Sequence, residues 1–263
     1  MSLRGVIIRT LFRFLSSKHI SFHASSWPFV SRGYQSPEVI HSIIQKNLKF
    51  QKQGPLEKSS VEDLKIVTAM GIALGRKKSK TPISVLDFGG GGGHHYWVAK
   101  RFFPDTNFDW KIVETESFCK VASLTLENQE LKFHSSIASA LELNIEIDLV
   151  FANSSIQYTI DPMLTLKELL GINSKIAFIT RTPLSILGDN FEYFQFSLAS
   201  ENGPGALPKQ QKRLVSYKCS AIRKVDALLE FHEKYQDVIA VYEGVWDLKR
   251  GKVGSFTLVG LGR

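Results

Sequence analysis

The chain has 263 residues, of which 43% are hydrophobic and 22% charged, and its formal net charge is +8. That is long enough to bury a full core and too apolar for a disordered chain. Two cysteines a hundred residues apart, Cys119 and Cys219, exclude a disulfide scaffold and a cysteine-rich zinc site, and they fit a reducing, cytoplasmic compartment.

Five of the eight net charges fall in residues 1–37, which carry Arg4, Arg9, Arg13, Lys18 and Arg32 and no acid. The body is therefore nearly balanced, and no nucleic-acid partner is expected from its charge. Residues 1–36 read as a basic amphipathic leader with three readings open. One is an organelle transit peptide, rich in arginine and serine and poor in acids. Another is a helix making peripheral membrane contact through residues 4–15, with Val6, Ile7, Leu11, Phe14 and Leu15 dipping in. The third is a locally packed helix. No apolar run reaches the eighteen residues that a membrane span requires.

Residues 37–80 read as an N-terminal helical cap. Val39, Ile40, Ile43, Ile44 and Leu48 recur at helical spacing behind Ser36 as N-cap and Pro37 as first residue. A second helix starts at Ser60, where Asp63 completes a capping box, and Gly75 offers a stop. From residue 81 to 263 the pattern alternates. Strands ISVLDF, FDWKIVET, LKFHSS, IDLVFAN and KIAFITRT are separated by the helices HHYWVAKRFF, SFCKVASLTL, a short one near 137–142, and 162–170. Such alternation predicts a doubly wound, mostly parallel α/β sheet with helices on both faces. Residues 183–216 read as a glycine- and proline-bearing insertion contributing to an acceptor pocket. A helix follows over 221–235. The last two strands, joined by only KRGKV, must pair as an antiparallel C-terminal hairpin.

The stretch VLDFGGGGGHHYWVA, residues 85–99, stands where an open α/β sheet binds ligands, at the carboxyl end of a strand and the start of a helix. Three cofactor classes use bare backbone there. A phosphate-binding P-loop needs Gly-Lys-Ser/Thr, but His94 and His95 follow the glycines. The dinucleotide pattern G-x-G-x-x-G/A fails in every register, ending on His94, His95 or Tyr96.

The third pattern matches. Asp87-x-Gly89-x-Gly91-x-Gly93 resembles the first motif of class I S-adenosylmethionine-dependent methyltransferases. The resemblance implies a Rossmann-like methyltransferase sheet with an antiparallel last strand, and S-adenosylmethionine (SAM) as cofactor. It implies that the glycine turn and Asp87 hold the methionyl end, and that an acid ending the next strand, Glu114, takes both ribose hydroxyls. It places adenine near His134, Ser135 and Ser136, and the sulfonium near Asn153, Ser154 and Tyr158. With KIVE, IDLVFANSSIQYTIDP and FITRTPL, the chain also resembles a small bacterial family classed as methyltransferases and encoded with surface-polysaccharide biosynthesis genes. The acceptor expected from that resemblance is a small molecule or glycan, methylated at oxygen.

Each site residue also has a plain structural reading. Asp87 can cap the glycine turn, Glu114 can be a solvated strand end, and Tyr158 can be core. His94 and His95 open a helix whose dipole keeps an imidazole neutral, which suits a general base; either can instead pack beside the cofactor. Arg181 either holds an anionic acceptor group or pairs with Asp87, Glu114 or Asp161. No metal site is expected, since adjacent histidines diverge on a helix and HExxH is absent. Two other functions compete: a nicotinamide-dependent oxidoreductase, and a non-catalytic methyltransferase-like binding module.

Overall fold

A computed structural model describes residues 20–22, 33–53, 60–141, 146–186, 188, 190–204, 214–245 and 253–262. The membrane-contact helix read over 4–15 lies outside the described residues, as does most of the leader. Residues Ile20–Phe22 form strand β1, so part of the segment read as a leader joins the body of the protein.

Two helices precede the main sheet, α1 (Pro37–Gln51) and α2 (Val61–Arg76). Pro37 opens α1, but Ser36 makes no side-chain cap; its hydroxyl donates to Glu38 instead. The expected capping box on α2 is present in full. The Ser60 hydroxyl accepts from the Asp63 N–H at 3.1 Å, and Asp63 accepts from the Ser60 N–H at 2.7 Å. Ser60→Ala leaves an N-terminal donor unpaired and should cost about 1 kcal/mol. A melting point lower by about 2–4 °C in calorimetry checks this. Gly75 does not end the helix, which runs one residue further.

The alternating region follows as β2 (Ile83–Phe88), α3 (His94–Phe102), β3 (Phe108–Val113), α4 (Glu116–Thr125), β4 (Leu131–His134), α5 (Ile137–Ala140), β5 (Ile147–Asn153), α6 (Pro162–Gly171) and β6 (Ser174–Ser185). Then come β7 (Phe191–Leu198), β8 (Leu214–Arg223), α7 (Lys224–Lys234), β9 (Asp237–Val245) and β10 (Val253–Leu261). The main sheet runs β4-β3-β2-β5-β6-β10-β9, with β10 antiparallel to both its neighbours and the rest parallel. This is the predicted doubly wound sheet with its antiparallel hairpin. The central strands are apolar on both faces. Val85, Trp110, Ile112, Phe151 and Phe178 face a core shared with α1–α4. Leu86, Val113, Val150 and Ile179 face the one shared with α6 and α7.

The segment read as an insertion is itself largely sheet. β7 and β8 pair antiparallel, β1 adds to β7, and the end of β8 lies parallel to the end of β6 through Leu184–Ile222 and Ser185–Arg223. Ala221, Ile222 and Arg223, predicted as helix, finish β8 instead. Tyr193, Val215 and Tyr217 of this second sheet share the core that α1–α4 cover.

Candidate active site

The glycine run joins β2 to α3. Gly89, Gly91 and Gly93 have φ of +68°, +56° and +85°, a region that costs other residues roughly 1–2 kcal/mol. Gly90 and Gly92 have ordinary φ but no room: a Cβ at Gly90 would strike the Asp87 carboxylate, and one at Gly92 the Asn47 amide. Conformation demands three of the five glycines, and close packing demands the other two.

The turn faces a cavity of about 1730 Å³. Of the candidate residues, Gly89, Gly91, His94, His95, Glu114, Ser135, Ser136, Asn153, Ser154 and Tyr158 line it. Gly93 does not; it is the N-cap of α3 and packs on Leu131. Nor does His134 line it; its carbonyl accepts from the Glu114 N–H at 3.0 Å, behind the cavity wall. Asp87 does not line the cavity either. It is fully buried beneath the turn, where its carboxylate meets His95 Nδ1 at 3.0 Å and the Trp110 Nε1–H at 3.3 Å. It therefore supports the turn from below.

Glu114 sits where β3 ends. Its Oε1 accepts from the Gly91 N–H at 3.1 Å and its Oε2 from the Thr115 N–H at 3.0 Å. Burial pushes its pKa up, Asp87 adds to this, and the two backbone donors oppose it; the result is about 7. Glycine turn and carboxylate are thus in direct contact at the cavity wall.

The two histidines differ. Burial pulls His94 below the ordinary 6.5, against the pull of Asp63. Its Nε2 lies 2.6 Å from Asp63 Oδ1, and its Nδ1 has no hydrogen-bond partner among the described residues. Burial also works to lower His95, but the Asp87 carboxylate overrides it, and the net shift is upward. The helix N-terminus is expected to lower the pKa of both rings; at His95 the net shift is upward instead. A raised folded pKa stabilises the fold fully below 6.5, and that contribution is lost as pH rises through the folded value. In a ¹H–¹³C NMR titration the His95 ring should titrate above 6.5, and His95→Asn should remove this loss of stability from the pH–stability curve.

Ser154, just after β5, and Arg181, inside β6, are left-handed without being glycine, with φ of +54° and +51°. Arg181 pairs with none of the three acids expected for it; its Nε lies 3.7 Å from Glu62. The other end of the cavity is built by β7, β8 and the turn at residues 33–35. Tyr34, Tyr158 and Tyr217 pack ring against ring at 4.6–5.6 Å. The Tyr158 hydroxyl donates to Gln195 and that of Tyr217 to Asn202, both at 2.8 Å. Burial, reinforced by Cys219, raises Tyr158 well above 10, so it keeps its proton. Gln195, Ser197, Asn202 and Ser216 add uncharged polar groups at this end, where Glu201 and Lys218 also line the cavity.

Sequence reasoning did not single out Asn47, Tyr34, Gln195, Asn202 or Tyr217. Only Asn47 left a trace, as a polar residue amid the apolar positions Ile43, Ile44 and Leu48 of α1. Beside it, Lys46 is buried and donates to the Asn202 and Gly203 carbonyls at 2.8 and 3.2 Å, tying α1 to the segment after β7. Among the described residues no cluster of His, Cys, Asp or Glu could hold a metal ion, and no helix is long and apolar enough to cross a membrane.

No protein-family profile matches the chain, and no curated protein matches it in sequence. Several solved structures are similar in fold. The N-terminal domain of EvdMO1, crystallised with S-adenosylhomocysteine (SAH) and D-fucose, has a TM-score of 0.49 at 14% identity, over 84% of this chain and 96% of that one. CalS10, an amino pentose methyltransferase from Micromonospora echinaspora with SAM bound, has a TM-score of 0.48 at 11% identity, over 82% and 96%. The sugar N-methyltransferase KedS8 from Streptoalloteichus sp ATCC 53650 has a TM-score of 0.47 at 13% identity, over 94% and 100%. At these scores the likeness carries no functional argument, and function is read from the site.

Proposed function

We propose that this chain is a SAM-dependent methyltransferase acting on an oxygen of a small-molecule or glycan acceptor. The observation that carries this reading is the contact of the Gly91 N–H with the Glu114 carboxylate on the wall of one large cavity. A glycine turn that only glycine can form, next to a carboxylate able to accept two hydroxyl protons, fits the amino-acid tail and ribose of SAM. When bound, SAM supplies a methyl carbon already activated by a sulfonium. The chain's own part is alignment and exclusion of water, which by themselves lower such barriers substantially.

In this reading Gly89–Gly92 receive the methionyl end, with Asp87 and His95 bracing the turn. Glu114 holds the ribose, and Ser135 and Ser136 border the adenine. Asn153 and Ser154 border the sulfonium. His94 borders the cavity beside the glycine turn; burial lowers its pKa, Asp63 orients it through Nε2, and its Nδ1 is enclosed by protein. The wall of tyrosines, amides and hydroxyls suits an acceptor with several hydroxyl groups. Incubating the protein with SAM and extracts of nucleotide sugars and polysaccharides, with mass-spectrometric detection, tests this. The expected result is a SAM-dependent gain of one methyl on a hydroxylated product, lost in Glu114→Ala. Unmethylated extracts, or methylation that Glu114→Ala leaves intact, would contradict it.

A further inference from the structure

The pairing of β6 with β10 breaks at one place. Thr182 lies opposite Phe256 and Ile179 opposite Leu258, so Thr180 and Arg181 together face Thr257. This is a β-bulge, and Arg181 is its left-handed residue. The bulge reverses the strand's faces. Ala177 and Ile179 point into the α6–α7 core before it, and Leu184 points there after it. A bulge of this kind re-aims a side chain, and here it sets Arg181 on the cavity wall. Ser154 adjoins it: the Ser154 N–H donates to the Thr180 carbonyl at 3.0 Å, and Ser154 is left-handed too. Two adjacent non-glycine residues held in a sparsely populated conformation, both lining one cavity, are a concentration of strain that goes with binding sites.

The charges around Arg181 allow it to change partners. Its contact with Glu62 is long, uses Nε, and joins side chains 37% and 39% exposed, so it is weak and screened. Glu62 already has a second cation, Lys65, at 3.1 Å. The two Nη atoms form the edge of the guanidinium that receives an oxyanion in bidentate fashion. The Ser154 hydroxyl accepts from Gln157 Nε2 at 2.9 Å, so its own proton is left to donate.

We infer that Arg181 and Ser154 form an oxyanion site for the acceptor, which therefore carries a carboxylate or a phosphate group. The inference rests on the methyltransferase reading of the cavity and narrows its substrate class. Calorimetric titration of the SAH complex tests it, with inorganic phosphate, glucuronate and glucose as probes. Phosphate or glucuronate should bind, and glucose should bind at least tenfold more weakly than the better anion; which anion binds more tightly identifies the group. Arg181→Met should weaken the better anion at least tenfold and Arg181→Lys less, with SAH affinity and melting point unchanged in both. Equal anion binding by wild type and Arg181→Met, or no anion binding by the SAH complex, would overturn the inference. If SAH itself does not bind, the cofactor reading fails, and the same probes on the unliganded protein still decide whether Arg181 holds an anion.

Discussion

Glu114→Ala should weaken SAH binding about 100-fold or more while leaving the protein folded. Hydrogen bonds to a charged group contribute about 1.5–3 kcal/mol each, and in the proposed site this carboxylate accepts two ribose hydroxyls. Two at the lower figure give about 3 kcal/mol, roughly two factors of ten. The substitution also frees the Gly91 N–H at the centre of the turn, which adds to the loss. The pH dependence gives a second signature. The pKa of Glu114 is about 7 in the free protein, and the ionised form is the better acceptor. SAH affinity should therefore rise as pH increases toward 7, by up to about tenfold per unit, and level off above it. In Glu114→Gln the profile should be flat. Titration calorimetry from pH 5.5 to pH 8.5 gives both results, and circular dichroism confirms the fold. An unchanged affinity in Glu114→Ala would separate this carboxylate from the ligand.

Asp87→Ala should be among the most destabilising single substitutions in the chain, at about 3 kcal/mol. The side chain is fully buried and receives both His95 and Trp110. Removing it leaves a buried imidazole and a buried indole N–H without their acceptor. Leaving a buried polar group without its hydrogen-bond partner costs about 1–3 kcal/mol, and here two groups, the His95 imidazole and the Trp110 indole, lose theirs. A melting point lower by about 6–12 °C follows for a chain of this size. Without Asp87, burial is opposed at His95 only by the weaker pulls of Asp63 and Glu62, and its pKa should fall from its raised value. The sign of that shift separates a lost ion pair from simple loss of packing. Asp87→Asn keeps the shape and an acceptor, and should recover part of the stability but not the raised His95 pKa. The glycine turn rests on Asp87 at Gly90, so SAH affinity should fall in Asp87→Ala as well.

The parallel sheet was legible in the sequence because its strands are short apolar runs buried on both faces, divided by helices with clear starts. Strand β5 needed no correction at either end. The glycine turn was legible because five glycines in a row have no other economical use. The residues from 183 onward were harder to read. β7 and β8 carry Tyr, Gln, Ser and Lys on a face that looks into the cavity, so the apolar–polar alternation that marks a half-buried strand is weak there. The upward shift of His95 was not legible either. It depends on a carboxylate eight positions earlier meeting Nδ1, a contact that the turn's geometry creates. Arg181 shows the same limit: the bulge that re-aims it arises from pairing with β10, some 75 residues later.

The proposed activity depends on one cavity wall taking SAM by its tail and its ribose together. Calorimetric titration of the purified wild-type chain with SAH measures this most directly. The expected result is saturable binding of one SAH per chain with a micromolar Kd, strengthening as pH rises to about 7. The absence of any binding heat at millimolar SAH across that pH range would contradict it.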